Sequence, residues 1–286
     1  MKTLHINMLL IFWGLTNTID AQYPNFLWAV QMGEASDDFG NSIAVDAKGN
    51  VYTTGSFRNT VDFNPGTETY YLSSKGGTDI FISKLDPFGN LIWAKRMGGI
   101  KDDGGSSIAV DSDGYIYTTG SFQDEADFNP DSLGIYNLTS KGGYDIFISK
   151  LDTDGNFAWA KKIGGVGADA GYEIAVDIRG SVYTTGIFQL TVDFNPDDSG
   201  PYNLSSAGGN DIFVSKLDTS GSFVWAKRFG GMSEDSGNSI VVDRYENIYI
   251  TGWFVETADF GTCNLTSTNS RDSYVCALVP RPSNGV

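Results

Sequence analysis

A repeated set of four-stranded antiparallel β-sheets is the fold class the sequence predicts, on three observations. Tryptophans Trp28, Trp93, Trp159 and Trp225 recur at steps of 65, 66 and 66 residues, each inside the same surrounding pattern. Thirty-five glycines, many aromatics and frequent Asp-x-x-Gly steps describe short strands joined by tight turns, and long Ala/Leu/Glu/Lys runs are missing. The two chain ends carry halves of the repeat that complement one another.

Each period holds four predicted strands. Strand A is SIAVD at Ser42 and Ser107, EIAVD at Glu173 and SIVVD at Ser239. After a turn such as AKGN or SDGY comes strand B, the VYTTGSF run from Val51 and its equivalents from Ile116, Val182 and Ile248. Thr and Tyr at alternate places suit a pleated strand, and Gly55, Gly120, Gly186 and Gly252 within it predict close approach of a neighbouring backbone. A longer excursion follows, through DFNP at Asp62, Asp127 and Asp193 and a degenerate DFG at Asp259. Strand C is DIFISKLD, from Asp79, Asp145 and Asp211, and strand D is the tryptophan strand LIWAKRMGG with its equivalents.

A four-stranded antiparallel unit repeated in this way is the blade of a β-propeller. The chain starts on a lone D strand from Phe26 and ends on a lone A-B-C set from Ser239 to Val279. Pairing the N-terminal strand with the last blade gives four blades and removes the exposed edges. Lysines recur in strand C (Lys84, Lys150, Lys216) and strand D (Lys95, Lys161, Lys227), whereas the terminal copies have Ala277 and Val30, both on that joined blade. The alternatives are a fragment of a longer ring or an arc that closes by dimerising; open sheet edges, or a dimer, would count against a closed ring of one chain. The strand D cations are expected to guard a blade edge from pairing with other chains.

The combination GGxxxDxGxxIAVDxxGNVYTTGSF with DIFISKLDxxGNFxWAK resembles the bacterial SBBP-type β-propeller repeat over essentially residues 22–286. The resemblance implies a β-propeller in an exported protein, with no common enzymatic activity to carry over. The family name refers to seven blades, and this chain has far fewer repeats.

Residues 1–21 read as a secretory signal peptide: a basic Lys2, an apolar stretch from Ile6 to Leu15, and a small Ala21 before Gln22. The stretch is about half the roughly 20 residues that span a bilayer, and no later segment is long enough. The expected product is one propeller domain over residues 22–286, located outside the cytoplasm and monomeric if the ring closes on itself. Cleavage would remove Lys2 and Asp20 together, leaving the net charge at −16, which argues against nucleic acid as a partner. It would also remove His5, the one histidine, and with it Ser-His-Asp or Cys-His catalysis and His-ligated zinc. Cys263 and Cys276 are expected to form a disulfide that staples the final repeat.

Links D to A and excursions B to C are expected to share one face of the ring. That rim would carry Asp38, Asp103, Asp169 and Asp235 as ligand-binding candidates. Calcium is the possible cofactor, with Asp62, Asn64, Asp127, Asn129, Asp193, Asn195 and Asp259 as candidate oxygen ligands, although an Asx turn before a proline bend explains DFNP without an ion. DSDG at Asp111 and DTDG at Asp152 open like calcium loops, but the twelfth position from Asp111 is Phe122 and hairpin turns explain both. Trp93, Phe81, Tyr117 and Phe122 read as core between blades in preference to a sugar-stacking platform. No catalytic residue is assigned. The sequence predicts a non-catalytic binding or structural module for a protein or glycan partner; the alternative is a carbohydrate-active hydrolase or lyase using rim carboxylates.

Overall fold

A computed structural model describes residues 25–131, 134–197 and 199–280, so the predicted signal peptide lies outside the described residues. Every regular element within them is a β-strand. Unit 1 comprises β1 (Phe39–Val45), β2 (Val51–Asp62), β3 (Tyr71–Leu85) and β4 (Leu91–Gly99). Unit 2 follows with β5 (Gly104–Val110), β6 (Ile116–Asp127), β7 (Asn137–Leu151) and β8 (Phe157–Gly165). In unit 3 the excursion splits two strands, giving β9 (Ala170–Val176), β10 (Val182–Phe188), β11 (Thr191–Asp193), β12 (Asn203–Ser205), β13 (Asp211–Leu217) and β14 (Phe223–Gly231). Unit 4 has β15 (Ser236–Val242), β16 (Ile248–Phe254), β17 (Thr257–Asp259), β18 (Asn264–Thr266) and β19 (Asp272–Leu278).

All pairings within units are antiparallel; they join sequence neighbours in units 1 and 2, and in units 3 and 4 the split excursion leaves β10 paired with β13 and β16 with β19. Strands A and B share a bulge, seen between Gly105 and Ser107 of β5. Opposite it, Gly120 lies so close to the carbonyl of Gly104 and the ring of Phe147 that a Cβ would meet both. Gly55, Gly186 and Gly252 meet strand A carbonyls in the same way, as their recurrence predicts.

Units are joined at their outer edges and across their faces. The end of each strand D pairs with the start of the next excursion, Gly98 and Gly99 with Asp127 and Ala126 in one case, Gly164 and Gly165 with Asp193 and Val192 in the next. Between faces lie three aromatic and aliphatic clusters. Tyr52, Ile82, Trp93 and Met97 of unit 1 pack on Ile108, Phe122, Phe128 and Phe147 of unit 2, and equivalent sets join units 2 to 3 and 3 to 4. The aromatics that strand register assigned to the core are there: Tyr117 and Phe122 are fully buried, and Trp93 stands edge-on to Tyr52 at 6.2 Å.

Closure into a four-blade ring is not seen among the described residues. Residues 25–38 form no strand, and β19 pairs with β16 alone. Strands β1, β5, β9 and β15 pack side by side in that order. Unit 4 leaves the face of unit 1 open, however: Ile43 is 66% exposed, whereas its equivalents Ile108, Ile174 and Ile240 are 5%, 3% and 2% exposed. The physical reason is that the segment the last unit needs as its fourth strand lies on unit 1: Trp28 donates to Pro87 O at 3.0 Å, and β19 is left with β16 as its partner.

Candidate ligand-binding rim

The acidic residues assigned to the rim have a structural use that recurs in every unit. Asp103 accepts the N–H of Gly99 at 2.7 Å through one oxygen and that of Gln123 at 3.0 Å through the other. Asp169 holds Gly165 and Gln189 at 2.8 and 2.9 Å, and Asp235 holds Gly231 and Val255 at 2.6 and 3.1 Å. Asp38 does the same for Glu34 and Arg58, at 3.1 and 3.2 Å. Each carboxylate therefore clamps the end of one strand D to the end of the next strand B. Asp103, Asp169 and Asp235 are buried within the junctions and face backbone amides, so they present no free oxygen to a ligand at the rim.

Burial pushes these groups out of the ordinary carboxylate range, Asp103 up to about 7 and Asp169 up to about 6, with the backbone amides partly opposing it. Asp145, at the head of β7, is likewise pushed up to about 6 by burial, against the pull of the Lys141 amide and the Lys162 ammonium. Its equivalents Asp79 and Asp211 are raised by burial too, although Arg96 and Arg228 reach them at 2.7 and 2.6 Å. Sequence reading missed this second set of aspartates. The signal was available, since the Asp that opens each DIF run never varies in those three units.

The excursions leave the rim and run along strand D of the preceding unit. Asp131, just after DFNP, reaches Lys95 at 3.6 Å, and Asp197 reaches Lys161 at 2.8 Å. Of the strand D lysines expected to guard an edge, Lys95 and Lys161 are thus bridges between units, and Val30 precedes the excursion that has Gly66 in the acidic place. Lys84 and Lys150 of strand C also cross a junction, donating to the carbonyls of Thr153 and Thr219 in the next turn at 2.9 and 3.3 Å.

In the excursions, Asp62 accepts the amides of Asn64 and Tyr70 at 3.0 and 2.8 Å, Asp127 those of Asn129 and Tyr136 at 3.1 and 3.0 Å, and Asp193 those of Asn195 and Tyr202 at 3.0 and 2.9 Å. Asp259 accepts Gly261 N–H at 2.6 Å. The side-chain oxygens of Asn64, Asn129 and Asn195 each take a further amide two residues on. These are tandem Asx turns closing a loop. Among the described residues no three His, Cys, Asp or Glu side chains converge as a metal site.

DSDG and DTDG are hairpin turns: Asp111 caps the amides of Asp113 and Tyr115, Asp152 those of Asp154 and Asn156, and Gly114 and Gly155 take the positive φ the turn needs, 85° and 78°. Cys263 and Cys276 line one cleft as free thiols; the disulfide expected from the sequence is not formed in this structure.

What remains open on the rim differs from junction to junction. Between units 1 and 2 a cleft of ≈ 220 Å³ is lined by Ser56, Thr78, Asp102, Gly104, Ser121 and Tyr144 above the buried Asp103. At the next junction the places of Ser56, Asp102 and Ser121 are taken by Ser121, Ala168 and Ile187, so the same position there is less polar. Asp102 is itself occupied by the amide of Thr78 at 2.9 Å.

The β-propeller repeat SBBP matches residues 27–56, 92–121 and 224–253. The first window equates residues 27–34, which form no strand here, with β4 and β14. The chain is 26% identical to an uncharacterized WD repeat-containing protein of Acanthamoeba polyphaga mimivirus, over 80% of this chain and 19% of that protein. It is 27% identical to regulatory protein FlaEY of Caulobacter vibrioides, over 80% of this chain and 24% of that protein. The chain thus spans a quarter or less of the length of these curated relatives.

Proposed function

We propose that this protein is a non-catalytic β-propeller repeat module working outside the cytoplasm, where it binds a protein or glycan partner through side chains that differ between units. One observation carries the reading: the carboxylates that recur in every unit have their oxygens committed to backbone amides, so the repeated chemistry is architectural. Recognition is left to unit-specific clefts such as the one over Asp103. Among the described residues no helix is long and apolar enough to cross a membrane. Export rests on the residue 1–21 pattern, and mass spectrometry of the mature chain is expected to find Gln22 at its start.

Completion of the ring belongs to the same reading. It requires residues 26–34 to pair as strand D with β19, giving the last unit four strands; within one chain this makes the four-blade ring.

The test is a glycan array and a protein-capture screen with the purified chain, repeated with Asp102→Ala and Tyr144→Ala. Loss of a captured ligand in these variants is the expected result; unaltered capture would place recognition elsewhere. Incubation with polysaccharides is expected to release no reducing ends. Release that disappears in Asp102→Asn would instead support the hydrolase reading. Calcium at millimolar concentration is expected to leave the melting temperature unchanged, since one oxygen of each DFNP aspartate already takes two amides in the Asx turn and fixes the loop without an ion; a rise of several degrees would assign calcium to the excursions.

A further inference from the structure

We propose that two copies of this chain join head to tail, with unit 4 of one copy receiving unit 1 and residues 26–34 of the other. This rests on the repeat-module reading above and specifies the partner that completes the ring.

The two ends of the arc expose the two halves of a junction the molecule already makes three times. Val275 of unit 4 is 78% exposed, while its equivalents Ile82, Ile148 and Val214 are buried against the next unit. On the same face Tyr249 is 39% exposed, where Tyr52, Tyr117 and Tyr183 are buried. At the other end Ile43 and Val45 are exposed, in the places that Ile108 and Val110 use to receive unit 1. An apolar face that is covered at every internal junction is expected to be covered at the ends by the same kind of surface.

Residues 26–34 already sit where a preceding strand D belongs. The Trp28 indole donates to Pro87 O at 3.0 Å and its ring lies on Gly89, as Trp93 lies on Gly155 and donates to Thr153 O at 3.4 Å. Met32 packs with Phe57, Phe63 and Phe81 of unit 1, the place Met97 takes on unit 2. The segment is therefore held against unit 1 without a strand C of its own, and β19 is a strand C without a strand D. Applying the register of the complete units sets Ala29 opposite Cys276 and Val30 opposite Val275. It also brings Trp28 to Tyr249, completing the Tyr–Trp pair that each other unit has at 6.2 to 6.4 Å.

The choice of a second copy over the chain's own first unit follows from junction geometry. Three junctions repeat the same aspartate clamp and backbone pairing, and in the single chain Ile43 and Val275 stay 66% and 78% exposed, so unit 4 does not cover unit 1. Bending the arc shut would have to strain all three tightly packed junctions. A second copy meets the free face at the native angle. The contact is heterologous, and two such junctions would join two chains of four units into a set of eight, a number within the range of known propellers.

The test uses the purified full-length product. Light scattering is expected to give twice the chain mass or more, and a monomer at all concentrations would overturn the proposal. Ile43→Asp and Val275→Asp each destroy one half of the contact and sit on exposed faces, so each variant alone is expected to be monomeric and folded. Mixed together they retain one good junction and are expected to form a heterodimer; failure to do so would refute head-to-tail pairing. Ala29→Cys in a Cys263→Ser background should cross-link to Cys276 under oxidation. A band of two chains on a denaturing gel is expected, whereas a cross-linked single chain would show that the ring closes within one copy. Loss of ligand capture with the dimer intact would reject the binding reading and leave this one standing.

Discussion

Replacing Gly120 by valine is expected to prevent folding, or to cost at least ~3 kcal/mol if a folded fraction survives. The added side chain has to enter the space between the Gly104 carbonyl and the Phe147 ring, and neither can withdraw. Gly104 O belongs to a bulged strand pair, and Phe147 is fully buried, packed at 5.0 Å against Phe128. Moving either shifts the cluster that joins units 1 and 2. Urea denaturation measures the effect, with Gly40→Ala as the control. Gly40 also lies at the strand A bulge, but an added Cβ there meets only a Thr53 methyl at 3.6 Å, and the cost should stay below ~1 kcal/mol. Equal costs at the two positions would mean that backbone freedom, and not close approach, explains the strand B glycines.

Asp169→Ala is expected to cost about 2 to 5 kcal/mol, because the amides of Gly165 and Gln189 both lose their acceptor inside the junction. Asparagine should recover only part of this, since its carbonyl can serve one amide while its NH₂ opposes the other. The same site gives stability an unusual pH dependence. Above pH 7 the buried aspartates are ionised in folded and unfolded chains alike, and the folded chain alone bears the cost of burying charge. As pH falls, Asp103 takes up its proton near 7 and Asp145 and Asp169 near 6, whereas the unfolded chain waits until the ordinary carboxylate range near 3.8. The folded state therefore gains stability as pH falls between about 7 and 4. Lower self-repulsion in a chain of net charge −16 acts in the same direction.

Below that window the sign reverses. Asp46, Asp152, Asp177 and Asp218 cap turns, and the amide and side-chain donors around them hold each below its ordinary value in spite of burial. Their contribution is present at higher pH and is lost as pH falls through their lowered values. Melting temperature should accordingly rise by ~5 to 10 °C from pH 8 to pH 5 and fall again below about pH 4. Asp169→Ala should flatten the upper slope, so that its cost is larger at pH 5 than at pH 8. A melting temperature that falls steadily from pH 8 to pH 5 would show that these carboxylates stay ionised in the folded chain.

The separation between architectural and recognition chemistry follows from the repeats. A residue present at every junction, such as the Asp that ends each D to A link, answers a need that every junction shares. Asp102 has Ala168 in its place at the next junction, and it lines the cleft above Asp103. Differences between units are where ligand specificity can be built without disturbing the scaffold.

Strand order, strand type and the hairpin turns were legible in the sequence, because each depends on local pattern: alternation in VYTTGSF, an Asx cap in DTDG, a glycine where a carbonyl intrudes. Repetition made these signals easier to read. The sequence also showed that FLWAVQMG from Phe26 matches strand D and that Ser239 to Val279 holds an A-B-C set, so the complementarity of the two ends was legible in the repeat itself. Three things needed the tertiary structure. Whether Asp103, Asp169 and Asp235 face solvent or backbone depends on amides 4 and 20 residues away, which no local pattern relates. The partners of Lys95 and Lys161 lie in a neighbouring unit, so their charge alone suggested an edge guard where the fold makes a bridge. Whether the two ends meet depends on the angle at which one packed sheet meets the next. That angle comes from side-chain volumes summed across a whole interface, and a repeat pattern records how many units there are without recording how far each one turns.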